Sequence, residues 1–124
     1  MKKIAVAIEE NNGKNSKVSL HFGRCPYYLF VTIDDNGGKN YEVVENPFFS
    51  NHQPGVVPQF VHQNEADVII AGGMGPRAIE MFKNFGIEVV TGYVGDAEKI
   101  VDAYLKGEIK GYAPCEHSNK ECGN

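Results

Sequence analysis

Two continuous apolar runs, Ile4–Ile8 and Val68–Ala71, constrain the fold of this chain of 124 residues more than any other feature of its sequence. Every side chain in each run is apolar, which is typical of strands buried on both faces of a sheet. Helices cover such sheets and join their parallel strands by short right-handed crossovers. The two runs therefore predict an α/β domain whose sheet is parallel at its centre.

A β-hairpin is predicted between the two runs. The segment Tyr27–Ile33 is rich in aromatic and β-branched residues, and Tyr41–Glu45 alternates polar and apolar residues. Asp34–Gly38 lies between them and has the composition of a tight turn. Because a hairpin contributes antiparallel strands, the whole sheet is expected to be mixed.

Three helices are predicted in the second half of the chain. In the first helix, Val57 and Val61 fall on one face. The second is expected to begin at Pro76 and to end at Gly86, because proline suits the first helical turn and glycine the position after the last. The third is expected to begin after Asp96, whose carboxylate is a typical N-cap.

The order of elements is strand, hairpin, helix, strand, helix, strand and helix, with Ile87–Val90 as the last strand. A chain of this length suffices for one compact domain and not for two. We assign residues 1–112 to a single α/β domain and expect the polar segment 113–124 to be a flexible tail that contains Cys and His.

Composition excludes several classes of function. Twelve Lys and Arg residues against sixteen Asp and Glu give a net charge of −4, whereas a nucleic-acid binder needs a basic patch. No apolar run approaches the roughly 20 residues of a membrane span, and the first run is too short for a signal peptide. We therefore expect a cytoplasmic protein that binds neither nucleic acid nor membranes. Its three cysteines would stay reduced there, which points to metal or redox chemistry rather than to disulfides.

The segment before the hairpin is the first candidate site, and it consists of His21, Phe22, Gly23, Arg24 and Cys25. Neutral imidazole and thiolate are the usual ligands of soft and borderline metals, so the histidine and the cysteine are candidate metal ligands. A neighbouring guanidinium would stabilise a thiolate or an anionic cluster. One histidine and one cysteine fall short of a full ligand set, and a simple bend held by packing explains the same residues equally well.

A glycine-rich turn after the second apolar run is the second candidate site. It contains Gly72, Gly73, Met74 and Gly75, and Arg77 follows in the predicted helix. Glycines let a ligand approach the backbone, and the free N–H groups at a helix start attract anions. The turn lacks the Gly-Lys-Ser/Thr ending of a phosphate-binding loop and the acidic partner of a dinucleotide site. A tight strand-to-helix turn without a ligand is equally compatible with this composition.

The third candidate site is the C-terminal segment, in which Cys115, His117 and Cys122 supply three metal ligands. Their spacing is not one of the usual zinc spacings, and a fourth ligand is missing unless Cys25, Glu116, His52 or an external group supplies it. An unstructured tail without a metal remains the alternative. Of the other histidines, His62 is expected on the surface of the first helix, while His52 lies in a loop from which it could reach the site.

The two arginines of the chain, Arg24 and Arg77, fall in the first and second candidate sites. Ligands of open α/β sheets bind beyond the carboxyl ends of the parallel strands. The loops 9–26 and 71–76 both lie at such ends, so we expect them to face one crevice. A crevice with arginines, a glycine floor, a thiol and an imidazole would suit an anionic ligand, and a metal–sulfur cluster is one such ligand.

Five segments of the chain occur together in an order that one known family shares. They are Lys3–Ala7, His21–Tyr28 except for position 25, Val44–Pro47, Asp67–Gly75 and Phe85–Val89. With these segments the chain resembles the dinitrogenase iron-molybdenum cofactor biosynthesis family, which includes nitrogenase accessory and cofactor-carrier proteins. The resemblance covers about residues 2–106, and its most specific part is the sequence His-Phe-Gly-Arg.

The resemblance implies a three-layer α/β/α fold of the ribonuclease-H-like kind, with a five-stranded mixed sheet. In that fold the second strand is antiparallel and the first and fourth strands are neighbours. The resemblance also implies a non-catalytic carrier of an iron–sulfur or iron–molybdenum precursor, which passes its cargo between donor and acceptor proteins. By match to the family's motif, His21 and Arg24 are the ligand-contacting residues.

Three functions follow from the sequence in order of preference. The first is a carrier of an iron–sulfur or iron–molybdenum-type cluster. His21 and Cys25 would hold the cluster, and Arg24 and the glycine-rich turn would surround it. The protein would be a monomer or a weak homo-oligomer. The second is a module that binds a nucleotide or another small anion at the Gly72–Gly75 turn. The third is an enzyme or redox protein that uses Cys25 as a thiolate of low pKa.

Overall fold

The computed structural model describes residues 2–22, 25–47 and 56–109. Within these ranges the chain forms five strands and three α-helices, with one short 3₁₀ turn at Gly13–Asn15. In chain order the elements are β1 (Lys2–Ile8), β2 (Tyr27–Ile33), β3 (Lys39–Glu45), α1 (Val56–Gln63), β4 (Val68–Ile70), α2 (Pro76–Phe85), β5 (Glu88–Val90) and α3 (Ala97–Leu105).

The five strands form one mixed sheet in the order β3-β2-β1-β4-β5. The hairpin pairs β2 with β3, and β2 lies antiparallel to β1 with Ala5 opposite Phe30. The strands β1, β4 and β5 are parallel, with Ala5 beside Ile69 and Ile69 beside Val89. The predicted mixed sheet with a parallel centre is therefore confirmed, as is the expected neighbourhood of the first and fourth strands.

The alternating side chains of β1 contribute to two separate hydrophobic clusters. Ala5 and Ala7 pack in one cluster with residues of α1 and α2. Ile4, Val6 and Ile8 pack in the other cluster with residues of α3. All five side chains are fully buried, which confirms that the continuous apolar run lies in a strand covered on both faces. β1 is the middle strand of the sheet, and its carboxyl end leads into the first of the loops discussed below.

Both boundaries of α2 agree with prediction, but the predicted cap of α3 does not form. Pro76 opens α2, and Gly86 ends it in the left-handed conformation at φ 77°. Asp96 occupies the N-cap position of α3, but its carboxylate makes no capping hydrogen bond. Lys17 instead donates a hydrogen bond of 2.8 Å from Nζ to Oδ1 of Asp96. The prediction of a side-chain cap was therefore wrong, because a lysine from a distant loop competes for the carboxylate.

The hairpin is longer than the alternating pattern indicated. β3 begins at Lys39 rather than at Tyr41, because its first two residues still pair with the end of β2. The Asp34 carboxylate closes the turn by accepting hydrogen bonds from the N–H groups of Asn36 and Gly38 at 3.0 and 2.7 Å. The strand prediction was short at this end because charged and amide residues carry no alternation signal.

No helix among residues 2–22, 25–47 and 56–109 is long and apolar enough to cross a membrane. The segment 113–124, which we predict to be a flexible tail, lies outside the described residues.

Candidate functional site

The two loops that the sequence placed in one crevice meet at the carboxyl ends of β1 and β4. The Ser19 N–H donates to the Ala7 carbonyl at 2.7 Å, which continues β1 into the loop. The Gly72 N–H donates to the Ser19 carbonyl at 2.7 Å, and the Phe22 N–H donates to the Gly73 carbonyl at 3.1 Å. The predicted proximity of the loops is confirmed, and it is brought about by direct backbone hydrogen bonds.

His21 lies between these two backbone contacts, and its side chain is exposed. The Ser19 hydroxyl accepts a hydrogen bond from the His21 N–H at 3.1 Å and donates one to the His21 carbonyl at 3.2 Å. No described residue forms a hydrogen bond with the imidazole ring. The main chain of His21 is thus held firmly while the imidazole remains accessible to a ligand.

Phe22 anchors the same loop in the hydrophobic interior. Its half-buried ring meets the ring of Phe82 edge-on, with centroids 5.2 Å apart, and lies 5.9 Å from the ring of Tyr28. Edge-to-face aromatic pairs are worth about 0.5–1.5 kcal/mol beyond the area they bury. Phe22 is therefore a packing residue that ties the His21 loop to α2 and β2, and a ligand contact through its ring remains a prediction.

The glycines of the second candidate site approach the first loop closely. A Cβ atom at Gly72 would lie 2.9 Å from the Ser19 carbonyl oxygen, and one at Gly73 would lie 2.7 Å from the Leu20 carbonyl oxygen. Both glycines are therefore required by the neighbouring backbone. The Ser19–Leu20 backbone occupies the space on this side of the turn, and a ligand contact at Gly72 or Gly73 remains a prediction.

The start of α2 is the more open part of the turn. Gly75 is exposed, has nothing within 4 Å of its Cβ direction, and supplies no side-chain cap to the helix. Pro76 has no N–H to donate, and the first intrahelical bond runs from the Ile79 N–H to the Gly75 carbonyl at 3.1 Å. The N–H groups of the two residues between them, Arg77 and Ala78, lack intrahelical acceptors. Together with the exposed Arg77 side chain, they form a cationic helix start.

Met74 connects this turn to the interior, since its half-buried side chain packs against the cluster beneath α1 and α2. It is a packing residue in this structure, and a direct contact between Met74 and a ligand remains a prediction.

Cys25 differs most from its expected surroundings. It is buried, with 1% of its surface exposed, and it belongs to the cluster that includes Tyr28. Burial raises the pKa of its thiol to about 11, although a hydrogen bond with Tyr28 acts in the opposite direction. Its carbonyl accepts a hydrogen bond of 2.9 Å from the Asn46 side chain, which fixes the backbone.

The hypothesis of a thiolate of low pKa at Cys25 is therefore wrong for this conformation. Burial in apolar surroundings disfavours the charged thiolate, and the thiolate is the nucleophile and the metal ligand. A role of Cys25 as a metal ligand stays a prediction, and it would require the side chain to leave the core.

Within residues 2–22, 25–47 and 56–109, no three His, Cys, Asp or Glu side chains come close enough together to hold a metal ion. His62 is exposed as predicted, and its ring stacks on that of Phe85 at 4.2 Å. The remaining predicted site residues lie outside the described residues: Gly23, Arg24, His52, Cys115, His117 and Cys122.

Ser19 is the residue of this site that sequence reasoning missed. It is 1% exposed and is hydrogen-bonded to His21 through its hydroxyl. Its place in the sequence, two residues before a candidate ligand, already indicates such a contact, because serine hydroxyls often bond to the backbone of a residue one or two positions further on. Its burial and its contact with the glycine-rich turn could not be read from the sequence.

Comparison with known proteins addresses the family and the fold of the chain. The model of the dinitrogenase iron-molybdenum cofactor family matches residues 2–107. An uncharacterized protein from Methanocaldococcus jannaschii is 30% identical over 110 residues, which cover 87% of this chain and 89% of that protein.

Two solved structures share the fold. The crystal structure of PH0822 is 40% identical with a TM-score of 0.77, and the match covers 87% of this chain and 93% of the other. The apo form of the orange protein from Desulfovibrio gigas is 26% identical with a TM-score of 0.77, and the match covers 91% and 94% of the two chains. The family match includes both loops of the site and every strand and helix described above. This chain therefore belongs to the dinitrogenase iron-molybdenum cofactor family.

Proposed function

We propose that this protein is a non-catalytic carrier of an iron–sulfur or iron–molybdenum-type metallocluster during cofactor assembly. The single observation that carries the proposal is the environment of His21. Its N–H and carbonyl both bond to the Ser19 hydroxyl, whereas its imidazole is exposed and has no hydrogen-bond partner among the described residues. An accessible neutral imidazole is a typical ligand of iron and other transition metals.

The small number of candidate ligands in the protein is consistent with a cargo that already contains ligands to its metal ions. Resident iron–sulfur clusters are usually held by four cysteine thiolates. We propose that this cargo, which carries its own inorganic sulfide, is instead held loosely by the His21 imidazole and by positive charge. The cationic start of α2, with Arg77, lies on the loop bonded to the His21 loop. We propose that Arg24 adds a second guanidinium, as the resemblance to the family implies. Loose binding suits a carrier, which must release its cargo.

Membership of the family supports a link to iron–molybdenum cofactor, since the family is described by that cofactor. The similarity to the orange protein is also relevant, because that protein was solved in an apo form, a state defined by a missing ligand. We propose that the present chain has an apo and a loaded state as well, and that it exchanges its cargo with donor and acceptor proteins in the reducing cytoplasm.

We also propose that the fold is the three-layer, ribonuclease-H-like arrangement that the resemblance implies. The antiparallel β2, the parallel β1, β4 and β5, and the contribution of helices to both hydrophobic clusters support this description.

Anaerobic reconstitution with iron and sulfide tests the carrier function. The full-length protein is expected to become brown, with charge-transfer absorption and retained iron after gel filtration. His21→Ala should lose most of this iron, because the exposed ligand is gone. His62→Ala is the matched control, since His62 is also exposed but stacks on Phe85 at a helix surface. A colourless wild-type protein without iron, or equal iron in His21→Ala and wild type, would contradict the proposal.

A second candidate function is the binding of a small anion or nucleotide at the start of α2. The observation that favours it is the open space at Gly75 together with the uncapped first turn. Thermal stabilisation by phosphate or a nucleotide, unchanged in His21→Ala and lost in Arg77→Ala, would favour this function over the carrier. No stabilisation by either compound would exclude it.

A further inference from the structure

The hydroxyl of Ser19 makes two hydrogen bonds to the same residue, and that residue is His21. We propose that Ser19 is a positioning residue, which holds the main chain of His21 so that the imidazole is presented to the cargo at a fixed place. This inference rests on the proposed function, because it explains how the suggested ligand is held.

The contacts of the hydroxyl satisfy both polar groups of the His21 backbone. The oxygen accepts from the His21 N–H at 3.1 Å and donates to the His21 carbonyl at 3.2 Å. A serine hydroxyl has one proton to donate and lone pairs to accept, so both bonds are chemically allowed at once. With 1% of Ser19 exposed, water has little access to replace these bonds.

The backbone of Ser19, which carries this hydroxyl, is itself held by the sheet and by the glycine-rich turn. The Ser19 N–H donates to Ala7 at the end of β1, and its carbonyl accepts from Gly72 after β4. One residue therefore connects the two central parallel strands to the backbone of the proposed ligand. A shift of the glycine-rich turn would be passed to His21 through Ser19.

The imidazole depends on this support, because it is exposed and no described residue bonds to its ring. Many metal-bound histidines are oriented by a partner on the second ring nitrogen. Among the described residues His21 has no such partner, and the contacts that the structure shows for it fix the place of its main chain, from which the ring extends.

The experiment compares Ser19→Ala with Ser16→Ala in the full-length protein. Ser16 is the matched control, since it is also a fully buried serine of the same loop, and its hydroxyl accepts a hydrogen bond of 2.8 Å from the Asn12 N–H. That bond does not involve His21. Thermal denaturation establishes that each variant is folded.

Two readouts separate positioning from a general loss of stability. Amide hydrogen exchange of the apo protein should be faster at His21 in Ser19→Ala and unchanged there in Ser16→Ala. Anaerobic titration with iron and sulfide should show a loss of affinity on the order of tenfold for Ser19→Ala, as is common when support of a metal ligand is removed. Ser19→Thr, which keeps the hydroxyl, should restore both.

The outcomes distinguish this inference from the proposed function. If the wild-type protein binds no iron, the carrier function fails and the role of Ser19 fails with it. If the wild type binds iron and folded Ser19→Ala binds it with equal affinity, the carrier function stands and the positioning role is overturned. An equal loss of iron affinity in Ser19→Ala and Ser16→Ala would also overturn the positioning role, because the loss would then follow from the stability of the loop alone.

Discussion

Two polar side chains near the start of the hairpin have opposite surroundings. His21 is exposed, whereas Cys25 is 1% exposed and lies in the core beside Tyr28. Both are potential metal ligands by residue type. Their difference in solvent access decides which of them can contact a ligand without a change of conformation.

The buried thiol of Cys25 is expected to resist modification in the folded protein. Its pKa is raised to about 11, so almost none of it is thiolate at neutral pH. Treatment with iodoacetamide at pH 7.5 should therefore leave Cys25 unmodified until the protein is unfolded in denaturant. Peptide mapping by mass spectrometry identifies the modified cysteine, and rapid alkylation of Cys25 under native conditions would contradict the prediction.

The same raised pKa predicts a loss of stability in alkaline solution. The unfolded chain releases the thiol proton near the ordinary value of 9.0, but the folded chain retains it to about pH 11. The free energy of unfolding should therefore fall between these two pH values, by about 1 kcal/mol per pH unit from this group. Urea denaturation at several pH values measures the slope. Cys25→Ala should show a smaller slope, and an identical slope would show that other groups cause it.

At the scale of elements, the connection between β4 and α2 contains glycines with different roles. Gly73 faces the Leu20 carbonyl, where a Cβ atom would lie at 2.7 Å, whereas Gly75 has open space around it. The sequence presents both as members of one glycine-rich turn. Only the approach of the neighbouring loop separates a packing requirement from an accessible position.

Substitution of these two glycines by alanine should have different effects on stability. Gly73→Ala is expected to lower the free energy of unfolding by about 2 kcal/mol, because the new Cβ would press on the Leu20 backbone. Gly75→Ala should change it by less than about 1 kcal/mol, since its φ of −71° suits alanine and no atom is in the way. Chemical denaturation of both variants measures the difference, and equal losses would contradict this account of the turn.

The helices were predictable to different degrees. Proline and glycine mark the limits of α2 by their own backbone preferences, so both ends were correctly predicted. The cap of α3 was not correctly predicted, because the Asp96 carboxylate pairs with Lys17, which is distant in the sequence. Local signals predict an element well when no distant residue competes for the same groups.

At the scale of the whole molecule, the described domain holds the proposed ligand His21, while three other candidate ligands lie outside the described residues. These are Cys115, His117 and Cys122. The family match ends at residue 107 and does not include them. We therefore expect the cargo to bind to the domain alone.

Replacing all three C-terminal ligands tests this expectation in the full-length protein. A variant with Cys115→Ser, His117→Ala and Cys122→Ser should retain as much iron as the wild type after anaerobic reconstitution, because His21 is unchanged. His21→Ala serves as the comparison that should lose iron. Loss of iron in the triple variant with retention in His21→Ala would place the cluster on the C-terminal segment.

Local sequence signals predicted the strands and helices of the fold and the two loops of the candidate site. Continuous apolar runs specify buried strands, and turn residues specify the hairpin, because these preferences act within a few residues. Which residues of those loops are accessible to a ligand follows only from the way the loops pack in the folded chain. The Ser19–Leu20 backbone fills the space beside Gly72 and Gly73, and packing in the core buries Cys25. Solvent access depends on contacts between segments far apart in the chain, so the exposure of His21 and its support by Ser19 became visible only in the folded molecule.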